Sequence, residues 1–237
     1  MMQIATEGID RICPEIEVID ECLDLDGKRI IELGCGRADI TRIIATGGAN
    51  RQVVALEVDQ VQHAINARIT DLPNVAFRLA GAEAIPEPDA SADVVFMFKS
   101  LHHVPRELMG NALDEIARVL RPGGYAYFSE PVYAGEFNEI LRLFHDEKQV
   151  REAAFAALEH AVASGRFELA RELFFLAPVH FNSFAVFESA VIGVSHTQHR
   201  LPPELYEQVR ERFSRHCGPD GADFLQPVRV DLLRKGR

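Results

Sequence analysis

Ile30-Ile31-Glu32-Leu33-Gly34-Cys35-Gly36-Arg37-Ala38-Asp39 runs an apolar strand into a glycine turn and then into an amphipathic helix. Gly34 and Gly36 have no Cβ, so the turn can take positive φ and its backbone can approach a ligand closely. The helix that follows, from about Ala38 to Ala45, aims its free N–H groups at that turn. Strand–glycine–helix turns also serve as plain connections. The neighbourhood tips the balance: a second strand, Gln52-Val53-Val54-Ala55-Leu56-Glu57, ends in an acid about twenty residues beyond the glycines, the spacing at which a carboxylate can take a ribose diol.

Working outward, apolar and helical segments alternate. Strands are expected at about Arg29–Leu33, Gln52–Leu56, Val75–Leu79, Asp93–Phe98 and Tyr125–Ser129. Helices are expected from about Gln60 to Ile69 and Arg106 to Leu120. The run Val94-Val95-Phe96-Met97-Phe98 is nearly continuous, as in a strand covered on both faces. This alternation predicts an α/β fold with a doubly wound, mostly parallel sheet, whose ligands lie at the carboxyl ends of the strands. In front of it, Ile9, Ile12, Ile16, Ile19 and Leu23 recur at helical spacing and predict an opening helix. Beyond Pro131 the alternation stops, and the apolar periodicity from Phe137 to Ala161 predicts a helical insertion over the site, spanning about 135–200. Residues 172–195 mix strand and helix signals. A helix from about Pro203 to His216 and a final strand over Phe224–Leu233 complete a single domain, 1–237.

With 237 residues, 47% hydrophobic, the chain can bury a full core. The net charge of −11 opposes general nucleic-acid affinity. No run approaches the ~20 apolar residues of a membrane span, and the first apolar segment is too short and too charged for a signal peptide. A soluble cytoplasmic protein is the expectation. Cys13, Cys22, Cys35 and Cys217 lack CxxC spacing, so neither zinc nor a disulfide framework is expected. His196 and His199, three apart, are the nearest approach to metal-ligand spacing, and no metal is assigned.

Taken together, residues from Ile30 to about Pro131 resemble the class I S-adenosylmethionine-dependent methyltransferases, specifically the small-molecule type 11 group. The family's acid-x-Gly-x-Gly-x-Gly motif is matched by Glu32, Gly34 and Gly36, with Ala38 in place of the third glycine. Four further segments follow in the family's order: Gly81-Ala82-Glu83-Ala84-Ile85-Pro86, Ser91-Ala92-Asp93-Val94-Val95, His102-His103-Val104-Pro105 and Arg118-Val119-Leu120-Arg121-Pro122-Gly123-Gly124. The resemblance implies a seven-stranded Rossmann-like sheet with a donor-binding core over 28–131. It implies donor contacts from Glu32, Gly34, Cys35, Gly36, Glu57, Val58, Gly81, Ala82, Glu83 and Lys99. Glu57 falls where the family holds both ribose hydroxyls, and S-adenosylhomocysteine would be the product.

Methyl transfer from a sulfonium is an in-line displacement, so the protein mainly aligns the reactants and excludes water. If the acceptor carries a proton, His102, His103 or Glu130 could receive it, because these residues follow strands four and five. Tyr133 and His145 are candidate acceptor contacts from the insertion. Phe144, Phe155, Phe167, Phe174, Phe175, Phe181, Phe184 and Phe187 either line an acceptor pocket or, the default, pack a core. A small-molecule acceptor is the expected partner, and a homodimer is compatible with the sequence. Two alternatives stay open: an NAD(P)-binding oxidoreductase, although the turn lacks the last glycine of G-x-G-x-x-G, and a regulatory protein that binds the donor without transferring its methyl.

Overall fold

A computed structural model of the chain describes residues 1–193 and 199–236, and His196 lies outside them. The strands are β1 (Arg29–Leu33), β2 (Gln52–Glu57), β3 (Val75–Leu79), β4 (Ala92–Phe98), β5 (Leu120–Pro131), β6 (Glu168–Phe181), β7 (Cys217–Gly218) and β8 (Gly221–Arg234). They form one sheet in the order β3-β2-β1-β4-β5-β8-β6, with the two-residue β7 paired to β8 alone. β1 to β5 pair in parallel, and β8 runs antiparallel between β5 and β6. The expected mostly parallel, doubly wound sheet is therefore the observed one.

The helices are α1 (Glu15–Cys22), α2 (Asp39–Thr46), α3 (Gln60–Asn66), α4 (Arg106–Val119), α5 (Glu136–Leu141), α6 (Lys148–Ala163), α7 (Phe184–Phe187) and α8 (Pro203–Ser214). Successive strand residues face opposite sides of the sheet, and both sides are covered. Ile31, Val95, Met97 and Phe128 pack with Met109, Leu113 and Ile116 of α4 and with Ala154 and Leu158 of α6. Ile30, Val53, Phe96 and Tyr127 pack on the other side with Val18 and Ile19 of α1 and Ile44 of α2. Each fully buried Ile, Leu or Phe contributes roughly 1.5–3 kcal/mol. A third cluster, centred on Phe181, Phe187, Phe213 and Phe224, joins α5, α7 and α8 to the far ends of β6 and β8.

Two sequence expectations shift. The opening helix begins only at Glu15, and Ile12 is exposed and forms an isolated bridge to Leu176 of the edge strand. Pro14 explains it: proline disfavours helical geometry in the residue before it but suits a helix start. Within the span expected as a helical insertion, α6 and β6 are parts of the main core and sheet. The described part of the mixed stretch, 172–193, divides at Phe181, where β6 ends, with α7 and a π-helical turn, Glu188–Ile192, beyond it, and Val194 and Ser195 lie outside the described residues. Among the described residues no helix is long and apolar enough to cross a membrane.

Candidate active site

The carboxyl ends of β1, β2 and β4 meet at the glycine turn. The N–H groups of Gly34 and Cys35 both donate to Leu56 O at 2.9 Å, which ties the turn to β2. Gly34 has φ +73° and Gly36 φ +50°; a Cβ on Gly36 would face open space, whereas one on Gly34 would lie 2.9 Å from Ser100 Cβ. Ser100 in turn donates its hydroxyl to Leu33 O at 2.9 Å. Gly34→Ala is therefore expected to cost about 2 kcal/mol through left-handed backbone strain and displacement of Ser100. Urea denaturation measures it, and a midpoint equal to wild type would contradict it.

Ala38, also left-handed at φ 63°, caps α2 where the motif's third glycine is expected. Lys99 at the end of β4 is a further non-glycine residue at positive φ, 52°, and its N–H donates to Ser129 O at 2.6 Å. Backbone held in such conformations tends to concentrate at functional sites.

Glu57 is buried at the end of β2. Its Oε2 accepts the Gly36 N–H at 2.8 Å, and its Oε1 accepts the N–H groups of Val58 and Asp59 at 2.8 and 2.9 Å. Val58 itself is exposed beside it. The turn has one brace that sequence reasoning missed: fully buried Asn66, on α3, donates to Gly36 O at 2.7 Å and to Cys35 Sγ at 3.5 Å. An asparagine inside the helix expected over Gln60–Ile69, where its side chain gains little from helix formation, is the signal that was available; in the structure it is the last residue of α3.

Glu32 lies beneath the turn, its Oε2 accepting the Thr41 hydroxyl at 2.6 Å. Burial, with a smaller push from Glu57, raises its pKa to about 8. An acid whose folded pKa exceeds its unfolded value binds more protons folded than unfolded, so stability falls as pH rises between the two values. The penalty is absent below about pH 4.5 and complete above about pH 8. Glu32→Gln, which keeps the acceptor for Thr41 without the charge, is expected to gain melting temperature over wild type at pH 8 and not at pH 4.5. Thermal unfolding at the two pH values checks this, and a pH-independent difference would contradict it.

After β3, a Cβ on Gly81 would meet only the carboxylate end of the Glu83 side chain, which can swing aside. The loop through Ala82 is pinned from α4: Glu115 accepts the Ile85 N–H at 2.9 Å, and Arg118 donates to Ile85 O at 2.8 Å and to Glu87 O at 2.8 Å.

His102 and His103 fall in a 3₁₀ turn, Leu101–His103, after β4, with ring centroids 4.1 Å apart. His102 is buried. Its Nδ1 bonds to Glu130 Oε2, and its Nε2 lies 3.6 Å from Glu147 Oε1. Burial works against a charged ring, but Glu130 and Glu147 outweigh it and raise the His102 pKa to about 9. Glu130 also accepts the Leu101 N–H at 2.9 Å, and its pKa is lowered, His102 and Arg229 overcoming the opposing effect of burial. His145 reaches the same cluster, 3.0 Å from Glu147 Oε1, while Arg151 holds Glu147 Oε2 at 2.5 Å.

Tyr133 lines a cavity of about 200 Å³ beside Glu130, Val132, Arg151 and Arg229. The structure thus brings His102, His103, Glu130 and His145 into one group and leaves Tyr133 on its margin. The aromatic set does not converge on this cavity. Phe167 packs in the main core, Phe175 on the opposite face, and Phe181, Phe184 and Phe187 in the third cluster.

A sheet in this order, with its antiparallel strand second from one edge and a glycine turn facing a strand-end acid, is the class I methyltransferase form of the Rossmann-like fold. Residues 30–124 match the family model described as a methyltransferase domain. Over those residues the chain is similar to methyltransferases, and the whole sheet has the Rossmann-like fold of solved methyltransferase structures. The chain is 36% identical over 104 residues to the 27-O-demethylrifamycin SV methyltransferase of Amycolatopsis mediterranei, a match covering 41% of this chain and 36% of that protein. It is 31% identical over 107 residues to the fatty-acid O-methyltransferase of Mycolicibacterium smegmatis, covering 45% and 38%.

The match thus spans well under half the length of both relatives. Among solved structures, the YcgJ protein of Bacillus subtilis superposes with a TM-score of 0.64 at 15% identity, over 94% of this chain and 97% of that one. The [4+2]-cyclase SpnF superposes with a TM-score of 0.55 at 22% identity, over 93% and 79%. These likenesses fix the fold, and the reaction has to be argued from the site.

Proposed function

We propose that the protein transfers a methyl group from S-adenosylmethionine to a small-molecule acceptor. The observation that carries this reading is the Glu57 carboxylate beside the open face of Gly36, its Oε2 2.8 Å from the Gly36 N–H. Such a carboxylate suits a ribose diol, and the open backbone of the turn suits close approach by the donor. In this reading Glu32, Gly34, Cys35 and Gly36 surround the amino-acid end of the donor. Glu57 and Val58 border its ribose, Gly81, Ala82 and Glu83 its adenine, and Lys99 the sulfonium end.

The donor, when bound, supplies an electrophilic methyl on a positively charged sulfur. The chain's own contribution is alignment and exclusion of water. Glu130 fixes the His102 ring through Nδ1, and Tyr133 and His145 stand at the acceptor side. A ring held protonated with a pKa near 9 orients and stabilises charge rather than receiving a proton at neutral pH. His103 stands exposed next to it.

A calorimetric titration with S-adenosylhomocysteine, with NAD as control, tests the donor site. Incubation with methyl-labelled donor and panels of hydroxylated, carboxylated and amine acceptors then tests transfer. Saturable binding of S-adenosylhomocysteine with no response to NAD is expected. Absence of binding by folded protein would overturn the reading, and donor binding without transfer to any acceptor class would favour a regulatory role.

A further inference from the structure

We infer that His102, His103 and Glu147 form a binding site for one divalent transition-metal ion of the zinc or cobalt type. One ligand atom from each residue lies within 4.8 Å of the others, and two of the three side chains are buried. Zinc and its neighbours bind nitrogen and oxygen at about 2.0–2.2 Å, so adjacent ligand atoms around a tetrahedral ion stand roughly 3.4 Å apart. His102 Nε2 and Glu147 Oε1 are 3.6 Å apart. His145 Nε2, 3.0 Å from the same oxygen, stands ready as a further ligand.

The surroundings of the three residues match what a metal site needs. A ligating histidine usually gives its second ring N–H to a carboxylate, which fixes the tautomer and aims the other nitrogen at the ion. His102 does this: Nδ1 is bonded to Glu130, which leaves Nε2 turned toward Glu147. Glu147 divides its oxygens in the same sense, giving Oε2 to Arg151 and presenting Oε1 to the histidines. Arg151 is itself held by Asn138 Oδ1 at 3.0 Å, so the carboxylate is fixed from behind. Two imidazoles and one carboxylate leave positions open on the ion.

Both electron pairs of the new bonds to the rings come from nitrogen, and Glu147 Oε1 supplies the third. The groups facing His102 are Glu130 from β5, Glu147 and Arg151 at the start of α6, His145 in the loop before it, and His103. Two carboxylates and one guanidinium stand among them, a net negative surround that favours a divalent cation. The site sits at the acceptor side of the proposed methyl-transfer centre. If that reading holds, an ion here would lower the pKa of an acceptor hydroxyl bound to an open position. Metal binding itself does not depend on it.

The test uses the full chain, dialysed against chelator and titrated with Co²⁺ and with Zn²⁺. Absorption in the visible range follows cobalt, and calorimetry follows zinc. One equivalent should bind. His103→Ala, at an exposed position, should weaken binding at least about 10-fold and Glu147→Gln similarly, with Glu130→Gln reducing it by about 10-fold through loss of ring orientation. Circular dichroism establishes that each variant is folded. Absence of binding by wild type, or equal affinity in folded His103→Ala, would overturn the assignment. S-adenosylhomocysteine titration of the same metal-free samples separates this result from the donor site: cobalt binding without donor binding removes the methyl-transfer reading and leaves the metal site.

Discussion

Glu57→Ala is expected to weaken S-adenosylhomocysteine binding by about 100-fold or more, the largest effect on ligand affinity available from one residue in this chain. A hydrogen bond to an ionised group contributes about 1.5–3 kcal/mol, and the two hydroxyls of a ribose diol would donate two such bonds to one carboxylate. The same carboxylate holds three backbone N–H groups, from Gly36, Val58 and Asp59. Alanine would therefore also release the turn that the ligand has to meet. Glu57→Gln, which loses the charge and replaces one acceptor oxygen by a donor, should fall between wild type and alanine. Calorimetric titration of all three, with far-ultraviolet circular dichroism to establish folding, makes the comparison. Undiminished affinity in a folded Glu57→Ala would place the ribose elsewhere.

The largest effect on stability is expected from Arg229→Ala. Arg229 and Asp231 form an ion pair, Nε to Oδ2 at 2.7 Å, and both are almost wholly buried in β8. The guanidinium also lies 4.6 Å above the Phe155 ring centroid and donates to Ile4 O at 3.3 Å. Removing one partner of such a pair leaves an uncompensated buried charge and costs about 3–5 kcal/mol. For a chain of this size that is a fall in melting temperature of roughly 10 °C.

Acidity should moderate the loss. Burial already raises the Asp231 pKa to about 6 despite the pull of Arg229 in the other direction. Without Arg229 it rises further, so at pH 5 Asp231 takes up a proton and is neutral. The deficit of Arg229→Ala should consequently be larger at pH 8 than at pH 5. Urea denaturation at both pH values reads this directly. The double replacement Arg229→Met with Asp231→Leu, which removes both charges, should recover most of the stability. An equal deficit at both pH values would show that the lost contacts with Phe155 and Ile4 outweigh the charge.

The sequence by itself determined the parallel core of the fold. Glycines at 34 and 36 admit backbone conformations that other residues resist, and the apolar runs of β1, β2 and β4 are dictated by burial on both faces of the sheet. Those are local properties, written in a few consecutive residues. It also located Glu57, because the length of one strand–helix–strand unit sets the distance from turn to acid. The antiparallel β8 was legible as the apolar run ending at Leu233, although its place between β5 and β6 was not.

Only the tertiary structure decided the rest. Asn66 braces Gly36 from thirty residues away, and Glu147 meets His102 from forty-five positions further along the chain. Neither distance in sequence corresponds to any periodicity. The segment after Pro131 misled for the same reason: a helix that covers a sheet and one that covers a ligand have the same amphipathic pattern, and α6 could be assigned to the core only when its partner α4 was known. Spacing between neighbours reports secondary structure. The clustering of His102, His103, Glu130 and Glu147 depends on which strand ends lie side by side, and the packing of the whole sheet sets that.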